Sequence, residues 1–213
     1  MTKLQSIPGG RSIPTEVKDN DLVLRRRRQI VDAAVQLFIN KGFHKTTTRE
    51  MAKTAGFSIG TLYEYVTSKE DVLYLVCQAI HQEMEEHLKK RLSQGGTGAQ
   101  DLEAAIGSYI TVCHQMSDHI LLIYQETKSL PAESRRFVLE HELRITGVFT
   151  DLLRRGVEDF SLRPLNPPEM ELVAHNIMVL GHMWAFRRWA LARSFSLEQY
   201  IQLQSDYLLG ELV

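Results

Sequence analysis

Hydroxyl and cationic side chains crowd the stretch from Thr46 to Lys69, TTTREMAKTAGFSIGTLYEYVTSK. Thr47, Thr48, Ser58, Thr61, Tyr63 and Tyr65 supply hydroxyls, and Arg49, Lys53 and Lys69 supply positive charge. Groups of these types hold phosphate oxygens and read base edges. Just upstream, Arg25, Arg26, Arg27 and Arg28 form an uninterrupted basic run. From Arg25 to Lys69 nine basic side chains face three acidic ones, a balance of +6 that leaves −7 for the rest of a chain whose net charge is −1. A basic head on an acidic body suits a protein that binds nucleic acid, because phosphate neutralisation dominates such affinity. Glu64 would repel phosphate and is placed toward solvent or a cytosine edge.

The elements that must position these groups are two short helices around a turn. Thr47 can cap the first, and Glu50 answers it three residues later, with Met51, Ala52 and Ala55 on the apolar side. Gly56 supplies a stop, Ser58 a second cap, and Ile59, Leu62 and Val66 recur at helical spacing. This is the spacing of a helix-turn-helix. A helix ahead of it starts at Asn20 or Asp21 and ends at Gly42, with Ile30, Ala34, Leu37 and Phe38 as its core stripe. Arg25 to Arg28 occupy its early turns, where cations oppose the helix dipole. Nearby phosphates would offset that cost; a solvated charged face, with Asp32 as the one adjacent acid, is the other reading. Residues 1–20 contain Pro8, Gly9, Gly10 and Pro14 without apolar periodicity and read as a flexible arm. Its Lys3, Arg11 and Lys18 either reach a minor groove or belong to a disordered tail.

Beyond Lys69 the pattern stays helical. Ser68 caps a long helix with Asp71 at its third position, and Val76, Ile80, Met84, Leu88 and Leu92 repeat every four residues, joined by Leu73 and Ala79. Gln94 to Gly98 reads as a linker. Helices are then expected at 101–117, 119–129, 131–160, 167–192 and 196–212. Pro131 with Glu133, Asn166 with Glu169, and Ser196 with Gln199 mark three of the starts. No segment alternates as a strand does, so the fold class is all-α. On the 167–192 helix, Ala174, Met178, Gly181, Ala185 and Ala192 form a stripe of small residues, and Val173, Ile177, Leu180, Trp184, Arg187 and Leu191 form a bulkier face toward the body.

That face, with Tyr109, Ile110, Cys113, Ile120, Ile123, Tyr124, Val138, Ile145, Phe149 and Leu152, is either plain core or the wall of an apolar ligand site. His141, His182, Gln125 and Arg187 are its candidate polar handles. His114, His119, His141, His175 and His182 lack HxxxH or HExxH spacing, and Cys77 and Cys113 sit singly in apolar patterns, so buried free thiols and no metal are expected. No nucleophile elbow, phosphate loop or dinucleotide fingerprint occurs, so neither catalytic residues nor a cofactor is assigned. No apolar run reaches membrane-span length and the start lacks a signal peptide's hydrophobic core, which predicts a soluble cytoplasmic chain without a membrane partner.

The ordered residues Ile30, Ala33, Ala34, Leu37, Phe38, Gly42, Phe43, Thr46, Thr47, Thr48, Ala52, Ala55, Gly56, Ser58, Gly60, Leu62, Tyr63, Tyr65, Ser68, Lys69, Glu70 and Leu73 resemble the DNA-binding domain of TetR-family transcriptional regulators. Val66 departs from the aromatic usual there. The resemblance implies an N-terminal three-helix helix-turn-helix domain at 21–69 and a ligand-binding and dimerisation bundle at 70–213. It implies phosphate contacts from Thr47, Thr48, Ser58, Tyr63, Tyr65 and Lys69, and base-edge approach by Arg49, Thr61 and the backbone of Ile59 and Gly60. It also implies a homodimer through the last two helices, reading half-sites about 34–36 Å apart. The small stripe, with Leu197, Tyr200, Ile201 and Leu208, is assigned to the partner subunit. Double-stranded operator DNA and a small apolar effector are the implied partners, with repression the expected sense. The segment from Tyr124 to Glu142 is similar to regulators of fatty-acid metabolism, whose effectors are acyl thioesters; Arg135, Arg136 or Arg187 would then meet the anionic head. An efflux regulator answering lipophilic drugs is the alternative, and a helical adaptor without DNA binding leaves the basic motif unexplained.

Overall fold

The computed structural model describes residues 11–91 and 95–213, with the side chains of 89–91 left aside. Lys3, Pro8, Gly9, Gly10, Leu92 and Gln94 therefore lie outside the described residues. In order the chain forms α1 (Asn20–Lys41), α2 (Thr48–Thr54), α3 (Ile59–Tyr63), α4 (Lys69–Arg91), α5 (Gly98–Gln115), α6 (Ser117–Glu126), a 3₁₀ turn (Thr127–Ser129), α7 (Ala132–Glu158), α8 (Pro167–Leu191) and α9 (Leu197–Leu209). Among the described residues there is no strand. The chain divides into two compact units, Met1–Glu83 with Leu122–His141 and Met84–Leu121 with Glu142–Val213.

Local side-chain chemistry sets most helix starts. Thr47, Asn166 and Ser196 each close a reciprocal capping box with the residue three further on, Glu50, Glu169 and Gln199. Ser58 accepts from the Thr61 amide, and Ser68 accepts from the Asp71 amide. The Gly95–Gly98 stretch departs from the expected linker. Thr97 closes a fourth capping box with Gln100, and α5 begins at Gly98, three residues early. Glycine is required at 98 because a Cβ there would lie 2.2 Å from the Gly156 amide nitrogen of α7. The signal was a helix–helix approach, which a local reading takes for a hinge.

In the first unit, Ile30, Ala34 and Phe38 of α1, Met51 and Ala52 of α2, Leu62 of α3, and Val66, Val72 and Leu73 are all buried, while Leu37 is only partly so. Val66, smaller than the aromatic that the resemblance leads one to expect there, is fully enclosed. Residues 11–17, expected to be flexible, instead lay one edge on the unit: Ile13 is 4% exposed, and Arg11 lies 2.8 Å from the Asp71 carboxylate. Arg11 is thus committed within the chain and not to a groove.

In the second unit α5 packs against α8 and α9. Ala174, Met178, Gly181 and Ala185, assigned from sequence to a partner subunit, are buried within the chain. A Cβ at Gly181 would stand 2.5 Å from Tyr109 Cε1 and 2.7 Å from Cys113 Sγ, so the small stripe lets α5 approach α8 closely. Ala192 is exposed. Tyr200 is also turned inward, donating from its hydroxyl to the Leu180 carbonyl at 2.7 Å, whereas Leu197, Ile201 and Leu208 are half-buried. The large apolar residues left exposed on α8 and α9 are Leu172, Val179, Trp189, Leu203 and Tyr207.

Within this core the Tyr109 hydroxyl and His182 Nε2 lie 2.9 Å apart, and Phe149 meets the Tyr109 ring edge-on. Burial pushes the His182 imidazole down from 6.5 to about 4. The unfolded chain takes up a proton that the folded chain refuses between these values, so stability is full above about pH 6.5 and declines as pH falls toward about 4. Urea unfolding across this interval should show that decline, and His182→Gln should flatten it; an unchanged slope in the variant would assign the loss to other groups.

Candidate nucleic-acid interface

Helices α2 and α3 are short, so their ends are most of their length. Thr47 donates to Glu50 Oε2 at 2.8 Å and accepts from the Glu50 amide at 3.3 Å. Lys41 pairs with the same carboxylate, and these donors hold Glu50 down at about 2. Gly56, at φ 77°, ends the turn after α2. Ser58 accepts from the Thr61 amide at 3.0 Å, with its Oγ also 3.0 Å from Thr61 Oγ1. Tyr63 at the end of α3 donates to Thr48 Oγ1 at 3.2 Å and so ties the two helices together.

The resulting surface brings together Thr47, Arg49, Ser58, Ile59, Gly60 and Tyr63, all exposed, with Thr48 and Thr61 half-buried beside them. Arg49 has no ion-pair or hydrogen-bond partner among the described residues. A Cβ built on Gly60 would meet only Ser58 Oγ, at 3.7 Å, so nothing inside the fold demands glycine there. Glu64 is exposed, as expected. Lys69 is half-buried, donates to the His44 carbonyl at 3.3 Å and stands 4.2 Å above the Phe43 ring, which keeps its charge beside the start of α2.

Three expected contact residues are placed otherwise. Tyr65 is 4% exposed because it falls three residues after Leu62 and next to Val66, on the apolar side of the chain leaving α3. Its ring is core and cannot reach a phosphate. Arg27 is half-buried and donates to the carbonyls of Tyr65 at 3.0 Å and Ile13 at 2.7 Å, so its guanidinium completes backbone hydrogen bonding inside the unit. Arg28 lies 3.0 Å from Asp32, one turn on. Of the arginine run, Arg25 is the one fully exposed, and Arg26 covers the Phe57 ring.

The candidate effector residues fall in both units. Tyr109, Cys113, Ile145, Phe149, Ile177, His182 and Trp184 are buried in the second unit. Cys113 and Cys77 are free thiols that burial pushes up to about 12, so neither ionises near neutrality. Trp184 donates from its indole to His114 Nδ1 at 2.9 Å and packs on Tyr200, assigned from sequence to the partner subunit. Arg187, expected on the inward face, is exposed and lies over the Trp189 ring. In the first unit Ile123 is buried, Tyr124 and Gln125 are exposed, and His141 stacks on His81 with centroids 5.2 Å apart. Arg135 and Arg136 are exposed, the latter paired with Glu140. Among the described residues no three His, Cys, Asp or Glu side chains group as a metal site, and no helix is long and apolar enough to cross a membrane.

Comparison with known proteins accounts for this arrangement. Residues 30–74 match the family of bacterial regulatory proteins, tetR family, and residues 95–187 match the tetracyclin repressor-like C-terminal domain. The HTH-type transcriptional regulator HbdR of Aromatoleum sp. (strain CIB) is 30% identical over 191 residues, 90% of this chain and 82% of that protein. The fatty acid metabolism regulator protein of Bacillus subtilis (strain 168) is 25% identical over 137 residues, 63% of this chain and 70% of its own. In fold the chain is similar to AibR, solved in complex with isovaleryl coenzyme A and operator DNA, with a TM-score of 0.68 at 17% identity, over 85% of this chain and 97% of that one. With its helix-turn-helix and the helical stretch at 95–187 both matched, the chain belongs to the TetR family of transcriptional regulators.

Proposed function

We propose that this protein is a cytoplasmic repressor that binds operator DNA as a homodimer and leaves it when a fatty acyl thioester binds. The observation that carries the DNA half is the exposed set on and beside α2 and α3: Arg49 without an internal partner, the hydroxyls of Thr47, Ser58 and Tyr63 with half-buried Thr61 beside them, and a glycine at 60 that the fold does not require. In this reading Arg49, Thr61 and the backbone at Ile59 and Gly60 approach base edges, while Thr47, Thr48, Ser58, Tyr63 and Lys69 hold phosphates. The domain division assigned from sequence, a DNA-binding segment at 21–69 and an effector and dimerisation segment from 70 on, belongs to the same proposal. The dimer is supported by Leu172, Val179, Leu203 and Tyr207, apolar side chains left uncovered on α8 and α9. A twofold pair would present two recognition helices to two half-sites.

The effector half draws on the apolar lining and on two relatives. The Bacillus subtilis relative is a regulator of fatty acid metabolism, and AibR was solved with an acyl coenzyme A. Tyr109 with His182, beside Phe149 and Phe186 in a unit whose buried residues include Ile145 and Ile177, gives a paired hydroxyl and imidazole in an apolar interior that would turn toward a thioester carbonyl.

Two measurements test these halves. Gly60→Ala should leave stability unchanged or raise it by up to about 1 kcal/mol, the helix-propensity difference, while weakening operator binding by crowding the groove; undiminished binding would move the DNA away from the α3 backbone. Fluorescence anisotropy on a duplex from just upstream of the coding region should show release by short- or long-chain acyl coenzyme A and none by coenzyme A alone. Release by lipophilic cations and not by any acyl thioester would replace the effector assignment.

A further inference from the structure

Residues 11–17 lie ahead of α1 in no helix, yet their burial alternates. Arg11, Ile13, Thr15 and Val17 are wholly or partly buried, and Ser12, Pro14, Glu16 and Lys18 are exposed. That is the period of an extended segment laid with one edge on a surface. One end is anchored by Arg11. Its guanidinium lies 2.8 Å from Asp71, whose side chain is 1% exposed, and donates to Ser134 Oγ at 2.9 Å; its amide donates to the Tyr74 hydroxyl at 2.9 Å. Asp71 is further held by Thr67 and Ser68. The anchor thus joins the first turn of α4 to the first turn of α7.

The other end reaches the recognition helix. Thr15 donates from its hydroxyl to the Glu64 carbonyl at 2.7 Å. Between the two ends, the Ile13 carbonyl accepts from Arg27, whose Nε donates to the Tyr65 carbonyl. A helix as short as Ile59–Tyr63 cannot satisfy the carbonyls at and just beyond its own end. Here Thr15 and Arg27 satisfy them, so where α3 stops and how it tilts depend on where residues 11–17 lie.

We propose that residues 11–17 form a positioning strap that ties the carboxyl end of the recognition helix to the first turns of α4 and α7, with Arg11 and Thr15 acting on operator discrimination without touching DNA. Base readout needs α3 held in one attitude, whereas non-specific phosphate attraction does not. Loss of the strap therefore lowers specific affinity and leaves non-specific affinity in place. The inference rests on DNA recognition by α3.

The test uses the duplex that the wild-type protein selects from a randomised pool, a scrambled duplex of equal length, and the variants Thr15→Val and Arg11→Ala. Arg11→Ala strands a buried carboxylate and risks the fold. Thr15→Val keeps the Arg11–Asp71 pair and removes the hydroxyl that donates to the Glu64 carbonyl and accepts from the Val17 amide. Affinities are measured by anisotropy over a salt series, with a thermal midpoint for each variant. The strap predicts roughly a tenfold loss on the selected duplex, little change on the scrambled one, and an unaltered salt slope. Equal losses on both duplexes with a shallower salt dependence would make the segment a DNA-contacting arm and overturn the proposal. A lowered thermal midpoint with unchanged duplex preference would reduce it to a stability element and overturn it equally. A wild-type protein that selects no duplex would remove the α3 surface itself, a separate result from the loss of discrimination in the variants.

Discussion

A five-residue helix does not stand in water by itself, because nucleating the first turn costs more than so few hydrogen bonds return. α3 exists because Leu62, Tyr65 and Val66, at i, i+3 and i+4, are driven into the core of Ile30, Ala34, Phe38, Met51 and Leu73. That burial is the constraint from which the rest of the first unit follows. With the apolar side fixed inward, Ser58, Gly60 and Tyr63 have to face out. The carbonyls stranded at its end need donors from elsewhere, and Thr15 and Arg27 meet that need. The reading surface we propose for this protein is the outward side of a helix whose inward side belongs to the core.

The second unit applies close packing to another end. Gly181 admits the Tyr109 ring and the Cys113 thiol against α8, and the glycine pair 98 and 156 lets α5 touch α7 at its backbone. Four buried polar side chains in this interior have partners, Tyr109 with His182, Trp184 with His114, Tyr200 with the Leu180 carbonyl, and Asp101 with Arg155, whereas Ser205 Oγ is buried without one among the described residues. Each would cost free energy if left alone.

What could be read from sequence was what depends on neighbours three or four residues away. The Thr47–Glu50, Asn166–Glu169 and Ser196–Gln199 boxes, the Ser58 and Ser68 caps and the core stripes of α1 and α4 are of this kind, and with them came the all-helical class and the helix-turn-helix. What stayed hidden depends on contacts between distant residues. Arg27 looked like one more phosphate ligand in a basic run, and only its fold neighbours Ile13 and Tyr65 give it another task. The small stripe of α8 announced a close helix approach correctly, but residue types do not say whether the approaching helix is α5 of the same chain or α8 of another. Residues 11, 13, 15 and 17 did carry a period-two signal; two prolines and two glycines nearby obscured it.

The central claim is that this chain, as a pair, reads duplex DNA through α3. Native mass spectrometry of the protein with the duplex from just upstream of its coding region tests that most directly. The account predicts a complex of one duplex with an even number of protomers, absent when the duplex is scrambled. A monomer that leaves the upstream duplex free at low salt would contradict it.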